Sequence, residues 1–136
     1  MTKTHIIGHR GAAGLALENT MPAFEKAVSA GVKTIEFDIQ TTRDGIFVVH
    51  HDSNLARTSQ SSDEIASLTF HQLQAIRLDN GTPVPTLTEV LDFARAKQLA
   101  TVIEIKNIPD IESFCALIDT YADLAIIVAS FKHDIL

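Results

Sequence analysis

Cysteine occurs once in the 136 residues, as Cys115. One thiol cannot form an internal disulfide, which excludes a stapled secreted scaffold. Positive charge is also scarce: 11 Lys and Arg stand against 17 Asp and Glu, for a formal net charge of -6. A sequence-independent nucleic-acid binder needs the opposite sign. Long apolar runs are missing. Nothing approaches the roughly 18–20 residues of a membrane span, and residues 1–8, MTKTHIIG, lack the apolar run of about 7–15 residues in a secretory signal. A cytoplasmic location is expected. The sequence has no internal repeat and no Pro/Gly/Ser linker, and its length suits one domain at about 100–200 residues each. The hydrophobic share of 46% against 21% charged is enough for a packed core, so global disorder is excluded.

The order of elements is informative. Residues 4–8 are short, β-branched and end at Gly8, which predicts a buried strand. Glu18, Asn19 and Thr20 offer caps for a helix carrying Phe24, Ala27 and Val28 at helical spacing and stopping at Gly31. Residues 34–39 (TIEFDI) alternate strictly, Arg43-Asp44-Gly45 is a turn, and residues 46–49 (IFVV) form another strand. Residues 53–82 are irregular, with one short helix around Leu68, Leu73 and Ile76. An amphipathic helix follows through Leu87, Val90, Leu91, Phe93 and Ala94, with Thr86 or Thr88 as its cap. Residues 100–105 are a strand, residues 110–121 a helix, and residues 124–129 a last strand.

Without the middle segment the order is β-α-β-α-β-α-β, which argues for a parallel sheet. An open doubly wound sheet and part of a (β/α)8 barrel both fit. The first strand is not followed by a G-x-G-x-x-G phosphate loop, which weakens the dinucleotide-binding alternative. Polar residues inside the strands favour the barrel.

Alternation puts Glu36, Asp38 and Gln40 on one face of their strand, opposite Ile35, Phe37 and Ile39. Glu104 and Lys106 likewise share a face opposite Ile103 and Ile105. Strands of a parallel sheet are ordinarily apolar on both faces, and buried carboxylates need a partner. An internal ion pair with Lys106 is one explanation, but three acids against one lysine leave negative charge over. A hard divalent cation, Mg²⁺ or Ca²⁺, resolves the excess; zinc suits an all-oxygen set less well. His9 and His51 lie at strand ends, and in a barrel the chemistry sits at the C-terminal ends of the strands. Two histidines can divide general acid and base work near neutral pH, and Arg10 offers a bidentate anion donor. Together these residues describe a site for an anionic phosphate ester.

The chain resembles the glycerophosphodiester phosphodiesterase family. The motifs that carry the resemblance are Gly8-His9-Arg10-Gly11, Glu18-Asn19-Thr20, Glu36-Phe37-Asp38, His51-Asp52 with Leu55 and Arg57-Thr58 after it, Val84-Pro85-Thr86-Leu87, and Glu104-Ile105-Lys106, in the family's order. The resemblance implies an α/β fold of the TIM (β/α)8-barrel type, here its first four βα units, with a small cap inserted after the second strand at about residues 41–85. It implies His9 and His51 as the acid/base pair, Glu36, Asp38 and Glu104 as metal carboxylates, and Arg10 and Lys106 as phosphate contacts. The implied reaction cleaves a glycerophosphodiester such as glycerophosphocholine into glycerol 3-phosphate and an alcohol, with Mg²⁺ or Ca²⁺. It also implies that the second strand turns back as an antiparallel arm, bringing His51 to the rim and leaving His50 structural or peripheral. His5, His71 and His133 match no motif and are expected at the surface or in packing.

Two departures stand out. Residues 59–62 read SQSS where the family often has a threonine and a glycine turn. A barrel of this type takes eight strands and about 250 residues, so this chain accounts for about half of one. Half a barrel is expected to expose two strand edges and an apolar inner face, which invites pairing or aggregation, most simply with a second copy. The sequence thus predicts either an active phosphodiesterase or a catalytically silent half barrel that self-associates. Related phospholipase D-like toxins use a similar constellation, but with disulfides and secretion signals not visible here. A carboxylate-only glycosidase would leave His9, His51 and Lys106 without roles.

Overall fold

The computed structural model describes residues 3–132 and residue 134. Five strands and four α-helices follow in the order β1 (Ile7–His9), α1 (Met21–Ser29), β2 (Thr34–Thr41), β3 (Phe47–Val49), α2 (Phe70–Ala75), α3 (Leu87–Lys97), β4 (Ala100–Ile105), α4 (Ile111–Asp119) and β5 (Ile126–Ala129). The sheet order is β1-β2-β4-β5, all parallel, with β3 antiparallel to β2. This is the α/β architecture expected for the opening units of a barrel of the (β/α)8 type.

Helix ends follow local chemistry. Thr20 caps α1 by accepting the Ala23 N–H at 3.4 Å, and Pro22 sits in the first turn, where no donor is lost. At α3 the choice between Thr86 and Thr88 falls to Thr86. Its hydroxyl accepts the Glu89 N–H at 3.1 Å while Glu89 Oε2 accepts the Thr86 N–H at 2.7 Å, a reciprocal box that satisfies two otherwise orphaned donors. Asp110 caps α4 through the Ser113 N–H at 3.0 Å.

The alternation along β2 separates two environments. Ile35, Phe37 and Ile39 are fully buried against Phe24 of α1 and Leu87, Leu91 and Ala94 of α3, joined by Ile103 and Ile105 of β4 and Phe114 of α4. Each such side chain contributes roughly 1.5–3 kcal/mol on burial, so this layer anchors the sheet. The other face of β2 and β4 carries the charged residues. A second buried cluster joins Val48 of β3 and Val84 to Leu55, Ile65, Leu73 and Leu78 of the irregular segment, which contains α2 and a 3-10 turn at Ile65–Ser67.

One expectation needs correction. The first strand covers Ile7–His9 rather than residues 4–8, and it is not buried: Ile6 and Ile7 stay exposed, Ile7 by 50%. Among the described residues β1 pairs only with β2, so no second strand covers it. The last strand likewise begins at Ile126 instead of residue 124. His5 and His71 are exposed, as expected, whereas His133 lies outside the described residues. Among the described residues no helix is long and apolar enough to cross a membrane.

Candidate metal centre and active site

Register builds the site. The parallel pairing of β2 with β4 sets Asp38 beside Glu104, and that of β1 with β2 sets His9 beside Glu36. Ile39 pairs with Ile105 of β4 on one side and Val49 of β3 on the other, so β3 runs on the same side of β2 as β1, beyond the point where β1 ends. The His50 N–H then donates to the Asp38 carbonyl at 3.0 Å, and Gln40 Nε2 donates to the His51 carbonyl at 2.9 Å. The returning arm thereby delivers His51 to the end of the sheet that carries Glu36 and Asp38.

The turn after β1 is tightly built. Arg10 has φ of 52° and Gly11 of 82°. A Cβ on Gly11 would meet the Ala23 backbone of α1 at 2.8 Å, so this position needs glycine for both its conformation and its space. The Arg10 N–H donates to Glu36 Oε2 at 3.3 Å, Nη1 donates to Glu18 Oε2 at 3.0 Å, and Nε lies 3.4 Å from Asp38 Oδ2.

Glu36, Asp38 and Glu104 each offer an oxygen, and these oxygens lie within 4.8 Å of one another. Asp38 is 1% exposed. Asn19, itself at a positive φ of 55°, holds it from two sides: Nδ2 donates to Asp38 Oδ2 at 3.0 Å, and the Asp38 N–H donates to Asn19 Oδ1 at 3.4 Å. Lys106 Nζ donates to Glu104 Oε1 at 2.6 Å and lies 3.7 Å from Asp38 Oδ1. Burial, and then the neighbouring Asp38 charge, push the Glu36 carboxyl up to about 7. At Glu104 burial acts upward, but the Lys106 hydrogen bond and charge outweigh it and hold that carboxyl below its usual range.

This set fits a hard cation. Glu36 Oε1 and Asp38 Oδ1 are buried and accept no hydrogen bond. The Lys106 ammonium approaches Asp38 Oδ1 only to 3.7 Å, beyond hydrogen-bond reach. Such oxygens cost free energy unless something positive meets them closely. The donors are all carboxylate oxygens, the choice of Mg²⁺ and Ca²⁺.

The two histidines differ. His9 is 70% exposed, with Nε2 3.5 Å from Glu36 Oε2. His51 Nδ1 lies 2.6 Å from Asp52 Oδ1. His50 is buried and turned toward the segment after β3, with Nε2 2.8 Å from Thr58 Oγ1 and Nδ1 2.8 Å from the Asp52 carbonyl. Burial pushes the His50 imidazole below its ordinary range.

A model of the glycerophosphoryl diester phosphodiesterase family matches residues 9–134. The chain belongs to this family. A glycerophosphodiester phosphodiesterase of Caldanaerobacter subterraneus subsp. tengcongensis is 33% identical to it, over 96% of this chain and 59% of that protein. The crystal structure of a glycerophosphodiester phosphodiesterase from Agrobacterium tumefaciens superposes with a TM-score of 0.91 at 27% identity, covering 98% of this chain and 60% of that one. A phosphodiesterase from Oleispira antarctica, solved in complex with the product sn-glycerol-3-phosphate, superposes with a TM-score of 0.88 at 25% identity over 96% of this chain and 58% of that one. The chain spans about half the length of the curated relatives it matches.

In this member of the phosphodiesterase family, several site-forming residues were visible in the sequence only as parts of motifs. The sequence offers Glu18 and Asn19 only as helix caps, a task that falls to Thr20, and gives Asp52 and Arg57 no role; yet Asn19 holds Asp38 and the other three form a continuous set of ion pairs. The signal for Asn19 was available: asparagine is enriched where a non-glycine residue takes a positive φ.

Proposed function

We propose that the chain takes part in metal-dependent hydrolysis of glycerophosphodiesters to glycerol 3-phosphate and an alcohol. The observation that carries this is the convergence of three carboxylates, two of them with buried oxygens lacking any donor, beside Lys106 and Arg10 in a member of this family. The product bound by the Oleispira relative supports the glycerol 3-phosphate half of the substrate.

Glu36, Asp38 and Glu104 would hold the divalent cation, Mg²⁺ or Ca²⁺. When bound, the cation draws charge from the phosphoryl oxygens. Arg10 and Lys106 meet the phosphate as fixed positive charges. Of His9 and His51, one withdraws the proton from the attacking hydroxyl, of water or of the neighbouring glycerol oxygen. The other gives a proton to the departing alcohol oxygen as its bond to phosphorus breaks. Where the glycerol oxygen attacks, the product of this step is a cyclic phosphate, which water then opens to glycerol 3-phosphate with the two roles reversed. His51 suits proton transfer because Asp52 occupies Nδ1 and leaves Nε2 for the substrate. Residues 1–136 are then part of a phosphodiesterase domain, with the cap at about residues 41–85, and the cytoplasmic location expected from the sequence is kept. Calorimetric titration of Mg²⁺ and Ca²⁺ into the wild type and Glu36→Ala tests the site, with glycerophosphocholine turnover measured alongside. Binding by the wild type alone is the expected result; equal binding by both proteins overturns the assignment.

A second reading rests on the sheet edges. Among the described residues β1 and β5 each pair on one side only, and Ile127 is 64% exposed. A second copy meeting these edges gives a homo-oligomer, most simply a dimer, with weak or no turnover. Sedimentation at low micromolar concentration with a glycerophosphocholine assay on the same sample decides it. A stable monomer with full turnover overturns this reading.

A further inference from the structure

The proposed chemistry leaves Glu18 and Arg57 without a task, although the structure joins them to it. Arg57 Nε donates to Asp52 Oδ2 at 2.9 Å and Nη2 donates to Asp52 Oδ1 at 3.1 Å. The same Nη2 also donates to Glu18 Oε1. The second oxygen of Glu18 accepts from Arg10 Nη1 at 3.0 Å, and Asp52 Oδ1 meets His51 Nδ1 at 2.6 Å. One guanidinium is thus shared between two carboxylates, and each carboxylate holds a different residue of the site. The result is a single chain, His51-Asp52-Arg57-Glu18-Arg10, running from the arm after β3, through the cap, to the loop after β1.

We propose that Arg57 is a positioning residue for both ends of this chain: through Asp52 it fixes the tautomer and orientation of His51, and through Glu18 it aims Arg10. The proposal rests on His51 acting in proton transfer and Arg10 meeting the phosphate. The physical argument is one of constraint. A carboxylate beside a half-exposed imidazole can rotate and accept at either oxygen. A guanidinium fork that takes both oxygens fixes the carboxylate plane. An ionised carboxylate oxygen is an acceptor only, and the fixed plane keeps one such oxygen facing His51 Nδ1, so Nδ1 must carry the proton and Nε2 its lone pair. The Arg57 hydrogen bonds also hold the Asp52 carboxyl well below the usual range. Glu18 extends the same constraint to Arg10. Lysine cannot replace the fork, because an ammonium is a point donor.

The test reads the His51 ring directly. Nitrogen-proton correlation spectra of the full, labelled chain at alkaline pH, without substrate, report which ring nitrogen carries the proton. The wild type is expected to hold the Nδ1-protonated tautomer. Arg57→Ala and Arg57→Lys are expected to shift the ring toward the Nε2-protonated form while the remaining spectrum stays folded, since the cap cluster around Leu55, Ile65 and Leu73 does not depend on the guanidinium. Where the parent chain turns over glycerophosphocholine, both variants should lose about 10–100-fold in kcat, the range for a group that orients a site residue, with a smaller change in KM. A His51 tautomer unchanged in folded Arg57→Lys overturns the proposal, whatever the activity. If the tautomer shifts but His51→Ala retains turnover, the positioning stands and the acid/base reading of His51 falls.

Discussion

Replacing Glu36 with glutamine should make the metal-free protein more stable, even though it removes a candidate ligand. The Glu36 side chain is only 13% exposed, and its Oε1 is buried without a donor. Burial and the Asp38 charge raise its folded-state pKa to about 7 from an ordinary 4.5. Between those values the folded protein binds a proton that the unfolded chain has released, so stability falls as pH rises through this window. By pH 8 the ionised side chain costs about 3 kcal/mol relative to its neutral form. Glutamine resembles the neutral form, and its carbonyl oxygen can still accept the Arg10 N–H that Oε2 accepts at 3.3 Å. Glu36→Gln should therefore gain under about 1 kcal/mol at pH 5 and about 3 kcal/mol at pH 8. Urea unfolding in a chelator at both pH values reads this as a midpoint raised by about 1–2 M at pH 8. The burial of His50 imposes its own pH dependence, but both proteins carry it, so it cancels in the difference. Adding Mg²⁺ or Ca²⁺ at about 100 times its dissociation constant should return about 2.7 kcal/mol to the wild type and much less to the variant. A variant equal to or weaker than the wild type at pH 8 in chelator would refute the claim that burial and the Asp38 charge disfavour the ionised Glu36 in the absence of a cation.

Three further outcomes follow from the same geometry. Gly11→Ala should cost about 2 kcal/mol or more in chemical denaturation, because it combines a positive φ with contact against the α1 backbone. His9→Ala and His51→Ala should each lower turnover by on the order of 10²–10⁴ where the parent chain is active, whereas His50→Ala should lose stability and little turnover; a dead His50→Ala with an active His51→Ala would place the arm one residue out of register. His50 titrates below its ordinary range when folded, so its contribution runs opposite to that of Glu36: as pH falls through the unfolded value of 6.5, the unfolded chain binds the proton first and stability drops, a loss that His50→Gln should blunt in urea titrations.

The shared face of Glu36 and Asp38 was readable because strand alternation decides it, and the same rule placed Glu104 with Lys106. That Asp38 and Glu104 stand side by side depends on register between strands far apart in sequence, which the residues suggested only through the family motifs. The first strand was misplaced for a different reason. Residues 4–8 look apolar enough to be buried, but burial of an edge depends on a neighbour that local sequence does not reveal. The segment from residue 53 to 82 has no periodicity to follow, since its backbone is satisfied one bond at a time, as where Ser59 Oγ donates to the Leu55 carbonyl at 2.9 Å. The link from Glu18 to Arg57 spans 39 positions, and only folding shows that the two carboxylates share one guanidinium.

The hairpin that folds β3 back along β2 also separates two properties of the protein. Its backbone is pinned where the irregular segment leaves β3, by the His50 N–H on the Asp38 carbonyl, and again where that segment returns, by the Val49 N–H donating to the Pro85 carbonyl at 2.8 Å and the bridge between Val48 and Thr86. The chain between them is an excursion that leaves and rejoins at nearly the same place. Doubling the length of such an excursion costs only about 0.6 kcal/mol in closure entropy. The cap can therefore be lengthened, shortened or exchanged while the carboxylates keep their register, provided that the Arg57 clasp or an equivalent is retained. Variation in the length of this excursion is thereby uncoupled from the register that sets Asp38 beside Glu104.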